Sequence, residues 1–72
     1  MSRERYHINV FYSDEDRAYV ADIPDLPGCS ALGETAEEAV AEVEQAKDAW
    51  LEAAAATGGT IPEPRYKPAA RA

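Results

Sequence analysis

Seventy-two residues allow one small domain, near the length at which a single hydrophobic core is only marginally sufficient. With Cys29 the only cysteine and His7 the only histidine, an internal disulfide and a His/Cys metal cluster are excluded, which leaves a second subunit as the expected source of extra burial. The net charge of −7 is unevenly placed: residues 1–64 set all fourteen acids against Arg3, Arg5, Arg17 and Lys47, a balance of −10, while residues 65–72 carry Arg65, Lys67 and Arg71.

Met1-Ser2-Arg3-Glu4-Arg5 leads straight into an alternating segment, so no secretory leader is expected. No apolar run approaches the roughly 20 residues of a membrane span, and a soluble cytoplasmic chain is the expectation. In Tyr6-His7-Ile8-Asn9-Val10-Phe11-Tyr12 the period is two: Tyr6, Ile8, Val10 and Tyr12 share one face, His7, Asn9 and Phe11 the other. Ser13-Asp14-Glu15-Asp16-Arg17 is a polar hairpin loop, and Ala18–Ile23 is the returning strand, stopped by Pro24.

The stretch from Pro24 to Ala39 sets the topology. Pro24 and Pro27 fix φ and remove two backbone donors, and Gly28 suits a turn that needs positive φ. Cys29–Leu32 reads as a short third strand broken by Gly33, and Thr35 with Glu38 forms the S/T-x-x-E capping box that opens a helix. That helix is expected from Ala36 to Thr57, with Gly58 at its C′ position. Ala36, Ala39, Val40, Val43, Ala46, Trp50 and Ala54 recur at helical spacing as the buried stripe, with Trp50 the large anchor. Glu37, Glu38, Glu42, Glu44, Asp48 and Glu52 take much of the remainder. Glu38–Glu42, Glu44–Asp48 and Asp48–Glu52 are mutually repelling i,i+4 pairs, tolerated either through the alanines or through a basic partner. Thr60-Ile61-Pro62-Glu63-Pro64 can extend along a sheet edge but not within a sheet, and 65–72 is a flexible basic tail. The fold class is therefore α+β: a three-stranded antiparallel sheet in the element order β-β-β-α-β, the last β a short terminal extended segment, with one long helix packed on one face, all within residues 1–64.

These motifs resemble the HicB-like antitoxin family. The resemblance rests on Tyr6 in an alternating strand, the acidic hairpin, Tyr19-Val20-Ala21, Pro24-Asp25-Leu26-Pro27-Gly28-Cys29, Gly33-Glu34-Thr35 with Glu37-Glu38-Ala39, Trp50-Leu51, Gly58 and Ile61-Pro62-Glu63-Pro64. It implies a partial RNase H-like fold that binds and masks a small basic mRNA-cleaving toxin of the HicA type. Family members commonly add a C-terminal DNA-binding domain. The thirteen residues after Gly59 cannot hold one, so direct DNA binding is not expected, and the chain is similar to the short stand-alone members of the family.

An RNase H-like fold raises nuclease chemistry, which gathers carboxylates around two divalent ions. Asp14, Glu15 and Asp16 sit at a loop tip, and Asp22 alternates away from the face of Tyr19, Ala21 and Ile23, so no catalytic site, metal or cofactor is expected. Cys29 and His7 have no catalytic companions at a telling spacing. Asp14, Glu15, Asp16, Glu42, Asp48 and Glu52 are the candidate toxin contacts, and Asn9, Phe11 and Val20 the candidate oligomer interface. Pro24, Pro27, Gly28, Gly33, Thr35, Glu38, Trp50 and Gly58 are read as architectural. The alternative function is an orphan homo-oligomeric binding or structural module without a toxin.

Overall fold

In a computed structural model, which describes residues 5–67, three strands precede one helix: β1 (Asn9–Ser13), β2 (Ala18–Asp22), β3 (Ser30–Gly33) and α1 (Ala36–Ala56). The sheet is antiparallel in the order β1-β2-β3, so each strand pairs with its neighbour in sequence. The four-residue hairpin loop closes through Arg17 at φ 53°, and the Ser13 hydroxyl, donating to Asp16 Oδ2 at 3.0 Å and accepting from the Asp16 N–H at 3.2 Å, stiffens its tip.

The link from β2 to β3 is two consecutive turns. The Leu26 N–H donates to the Ile23 carbonyl at 3.0 Å, and the Cys29 N–H donates to the Leu26 carbonyl at 2.9 Å. Pro24 and Pro27 each occupy the second position of a turn, where a fixed φ helps and no N–H is needed. Gly28 follows Pro27 at φ 80°, the geometry of a type II turn. A bond from the Ile23 N–H to the Cys29 carbonyl, 3.0 Å, ties the ends together. Between the turns Leu26 points inward with no exposed surface and joins Ile23, Cys29, Ala21, Tyr6, Ala39 and Val43 as the core.

Helix α1 starts at Thr35, whose extended backbone and Oγ1, accepting the Glu38 N–H at 3.0 Å, form the N-cap. The return contact of a capping box goes one residue further back than usual: Glu38 Oε1 accepts from the Glu34 N–H at 2.7 Å. At the other end the Gly58 N–H donates to Ala55 O at 3.2 Å and the Gly59 N–H to Ala54 O at 2.8 Å, with Gly58 at φ 75°: a Schellman close. The helix lies mainly on β3 and β2 and least on β1. It lies close on β3 at Gly33, where an added Cβ would stand 2.4 Å from the Ala39 nitrogen.

This offset changes the expected burial. Of the helix stripe only Ala39 and Val43 are fully enclosed, while Ala46, Trp50 and Leu51 pack half-buried around the core. On β1, Val10 and Tyr12 face the helix side but stay 39% and 51% exposed, because α1 does not reach that far across the sheet. The expected terminal β segment does not form among the described residues: after Gly59, with Pro62 and Pro64 withholding backbone donors, the chain runs past the sheet without joining it. Residues 68–72 of the expected tail lie outside the described residues.

Candidate functional site

Three surfaces carry the residues singled out by sequence: the helix's acidic side, the hairpin tip and the outer face of the sheet. Glu37, Glu38, Glu42, Glu44, Asp48 and Glu52 are all exposed; Glu37, Glu44, Asp48 and Glu52 lie on the arc of α1 opposite Ala39 and Val43, with Glu38 and Glu42 on its flank. At about 100° per residue, Asp48 and Glu52 sit in adjacent turns of one row, and Glu42 stands about 80° round the axis from Glu52. Against these six carboxylates α1 has one base, Lys47, and it is engaged by Glu44 at 3.2 Å. The last turn of the helix contains no basic residue to answer its negative end. Asp14, Glu15 and Asp16 crown the hairpin in solvent, at the end of the sheet.

The outer sheet face is apolar along one line. Register pairs Phe11 with Val20 and Val20 with Leu32, so these three side chains form a row crossing all three strands. Phe11 and Leu32 are each 51% exposed, and Val20 between them is half-buried. Asn9, opposite Asp22 on the same face, accepts through Oδ1 from the His7 Nε2–H at 2.6 Å. Leu32 was absent from the sequence-based interface because a four-residue strand offers too little alternation to reveal its partner. The register supplies it.

A strap formed by residues 60–66 crosses the start of the chain. The Tyr6 hydroxyl donates to the Pro62 carbonyl, and His7 and Tyr66 meet ring to ring at 4.9 Å. The Asp25 carboxylate accepts the backbone N–H groups of Arg65 at 3.1 Å and Tyr66 at 3.1–3.2 Å. A depression of about 400 Å³ under the strap is lined by Asp25, Thr60–Glu63 and Arg65, with the Asp25 carboxylate already committed to those amides. Nothing in its spacing marked Asp25 as an anchor; the signal was only its place inside a double turn. Trp50, expected as a packing anchor, also donates its indole N–H to the Pro27 carbonyl at 3.0 Å, fixing the double turn to the helix.

Burial pushes the Cys29 thiol above its ordinary pKa, partly opposed by the charge of Lys47. A protonated, enclosed thiol is a poor nucleophile. Among the described residues no three His, Cys, Asp or Glu side chains are placed to hold a metal ion, and no helix is long and apolar enough to cross a membrane.

The arrangement is that of a small α+β module whose chemistry lies in its surfaces: an acidic helix side and an apolar sheet face. The chain belongs to the HicB-like antitoxin family of bacterial toxin-antitoxin systems, whose family model matches residues 6–69. It is similar to a UPF0150 protein of Synechocystis sp., 43% identical over 53 residues that make up 74% of this chain and 73% of that protein. A UPF0150 protein of Thermoplasma acidophilum is 40% identical over 43 residues, 60% of this chain and 62% of the relative. No solved structure gives a significant match.

Proposed function

We propose that this chain acts in the cytoplasm as a non-catalytic, homo-oligomeric antitoxin module that binds a small basic RNA-cleaving toxin and masks its RNA-binding surface. The observation that carries the reading, beside the family, is the acidic side of α1: six exposed carboxylates against one lysine, which only Glu44 engages. Such a surface attracts a protein that has evolved to hold phosphates, because both ligands offer dense negative charge. Glu42, Asp48 and Glu52 with the hairpin's Asp14, Glu15 and Asp16 are the proposed contacts.

The test is to recover the partner with the tagged chain at low salt, establish that it cleaves RNA, and titrate inhibition of that cleavage. The triple variant Glu42→Lys, Asp48→Lys, Glu52→Lys should need at least about tenfold more protein for half-inhibition, since each charge contact contributes on the order of 0.5–1 kcal/mol. Unchanged inhibition by the variant would remove the helix side from the interface. A second reading is an orphan homo-oligomeric module, favoured by the apolar row of Phe11, Val20 and Leu32, which needs cover whether or not a toxin exists. Absence of any RNA-cleaving partner, with the chain recovered as its own oligomer, would select that reading.

A further inference from the structure

Strand β1 is an edge strand with the composition of an interior one. It pairs with β2 on one side, and among the described residues nothing pairs with the other. Three consecutive large apolar side chains, Val10 at 39%, Phe11 at 51% and Tyr12 at 51%, stand exposed on it, alternating between the two faces of the sheet. A strand that is apolar on both faces belongs in the middle of a sheet. Edges that must stay free usually carry a lysine, a proline, an inward charge or a bulge. Asn9–Ser13 has none of these, and its pairing with β2 runs unbroken. The opposite edge differs: β3 has four residues, one large apolar side chain, Leu32, and the start of α1 pressed on Gly33.

We propose that β1 pairs antiparallel with β1 of a second copy, giving a six-stranded sheet in the order β3-β2-β1-β1-β2-β3. The inference rests on the homo-oligomer part of the reading above and gives it a geometry. A two-fold axis through Phe11 is the one register that pairs all five residues of both strands: Asn9 with Ser13, Val10 with Tyr12, and Phe11 with itself. The strand has no charge to repel its copy, and the same register brings the Arg5 end of one chain toward the Asp14-Glu15-Asp16 turn of the other. Because the axis is perpendicular to the sheet, both helices lie on one side. The Val10–Tyr12 pairs then fill the part of the inner face that neither helix covers alone. A chain near the lower limit for a self-sufficient core thereby gains burial where it is exposed.

Analytical ultracentrifugation of the full chain should give a species of twice 7.8 kDa. Two single-substitution chains, Val10→Cys and Tyr12→Cys, are then mixed, re-equilibrated and oxidised. Directly opposed residues in an antiparallel pair have Cα atoms about 4.5–5.5 Å apart, inside the span a disulfide bridges. A mixed Val10→Cys/Tyr12→Cys disulfide dimer should form at least about tenfold faster than one between chains carrying the solvent-facing control Glu52→Cys, with Cys29 left buried in all of them. Val20→Cys, on the outer face, tests the competing arrangement in which two sheets stack face to face. An oligomer that cross-links through Val20→Cys and not through the Val10/Tyr12 pair would overturn the edge pairing and leave the homo-oligomer standing. A chain that sediments as a monomer across the micromolar range would overturn both. To separate loss of pairing from loss of folding, Tyr12→Lys should weaken the dimer at least about tenfold while keeping the circular dichroism of the native chain, and an undiminished dimer would count against the edge.

Discussion

Replacing Gly33 by alanine isolates how closely the helix is laid on the sheet. The Cβ so created would stand 2.4 Å from the Ala39 nitrogen and 2.8 Å from both the carbonyl carbon and the Cβ of Glu38. Ordinary contacts of this kind are nearer 3.5–4 Å, so the first turn of α1 has to move by about 1 Å. Two of the three obstructing atoms are backbone, and the movement cannot be absorbed by a side-chain rotation. It also lifts Ala39 and Val43, neither of which has exposed surface, from Ala21 and Leu26. Overpacking of this kind costs about 1–3 kcal/mol, offset by the roughly 0.4–1 kcal/mol that alanine gains over glycine through a less disordered unfolded chain. A net loss of about 1–2 kcal/mol should lower the melting temperature by about 4–16 °C in a domain of this size. Thermal melts followed by circular dichroism and by Trp50 fluorescence, at one fixed protein concentration because association shifts the midpoint, would measure it. Trimming the one obstructing side-chain atom should not rescue, so Gly33→Ala combined with Glu38→Gly should melt no higher than Gly33→Ala alone. A single variant melting within about 2 °C of the native chain would refute the close approach and the reasoning built on it.

The strap gives a second prediction: Asp25→Asn retains only one carbonyl oxygen and no charge, so the Arg65 and Tyr66 amides should exchange with solvent at least about tenfold faster while the core amides keep their protection. Unchanged protection at those two amides would mean the carboxylate does not hold the strap. The third concerns Cys29. Its thiol pKa is raised in the folded chain, so its contribution to stability is complete at neutral pH and is lost as pH rises through the ordinary thiol range toward the folded value. At about pH 8.5 iodoacetamide should therefore alkylate the native chain much more slowly than the urea-unfolded one, and equal rates would contradict the burial of the thiol.

Much of the fold was legible because its punctuation is local. Pro24, Pro27 and Gly28 specify two turns through φ alone, and Thr35 and Gly58 stand at the N-cap and C′ positions of a helix whose observed span, Ala36–Ala56, ends one residue before the expected Thr57. Alternation carries the first strand back to Tyr6, but the ladder begins at Asn9, where β2 runs out of partners. Periodicity tells which side chains share a face and says nothing of how far a helix is displaced across a sheet. Hence alternation puts Val10 and Tyr12 on the face of Tyr6, which is buried, though α1 leaves them open. Leu26 was hidden for the opposite reason, since a lone apolar residue between two prolines has no period to betray it. Among the candidate contacts, the exposure of the acids followed from their spacing against the alanines. The alignment of Phe11, Val20 and Leu32 came from strand register, a relation between segments that no single segment contains.

The strap also bears on the order in which the chain folds. Each strand pairs with the next in sequence, and the helix lies chiefly on the strand just before it. Such contacts close short loops and form quickly. The Tyr6–Pro62 bond and the Asp25 contacts to Arg65 and Tyr66 bridge 56, 40 and 41 positions, and they require the hairpin, the double turn and the helix to be in place first. The strap is thus a latch set last. During synthesis its residues also follow the whole of the sheet and the helix out of the ribosome, so every element the latch grips has emerged before it.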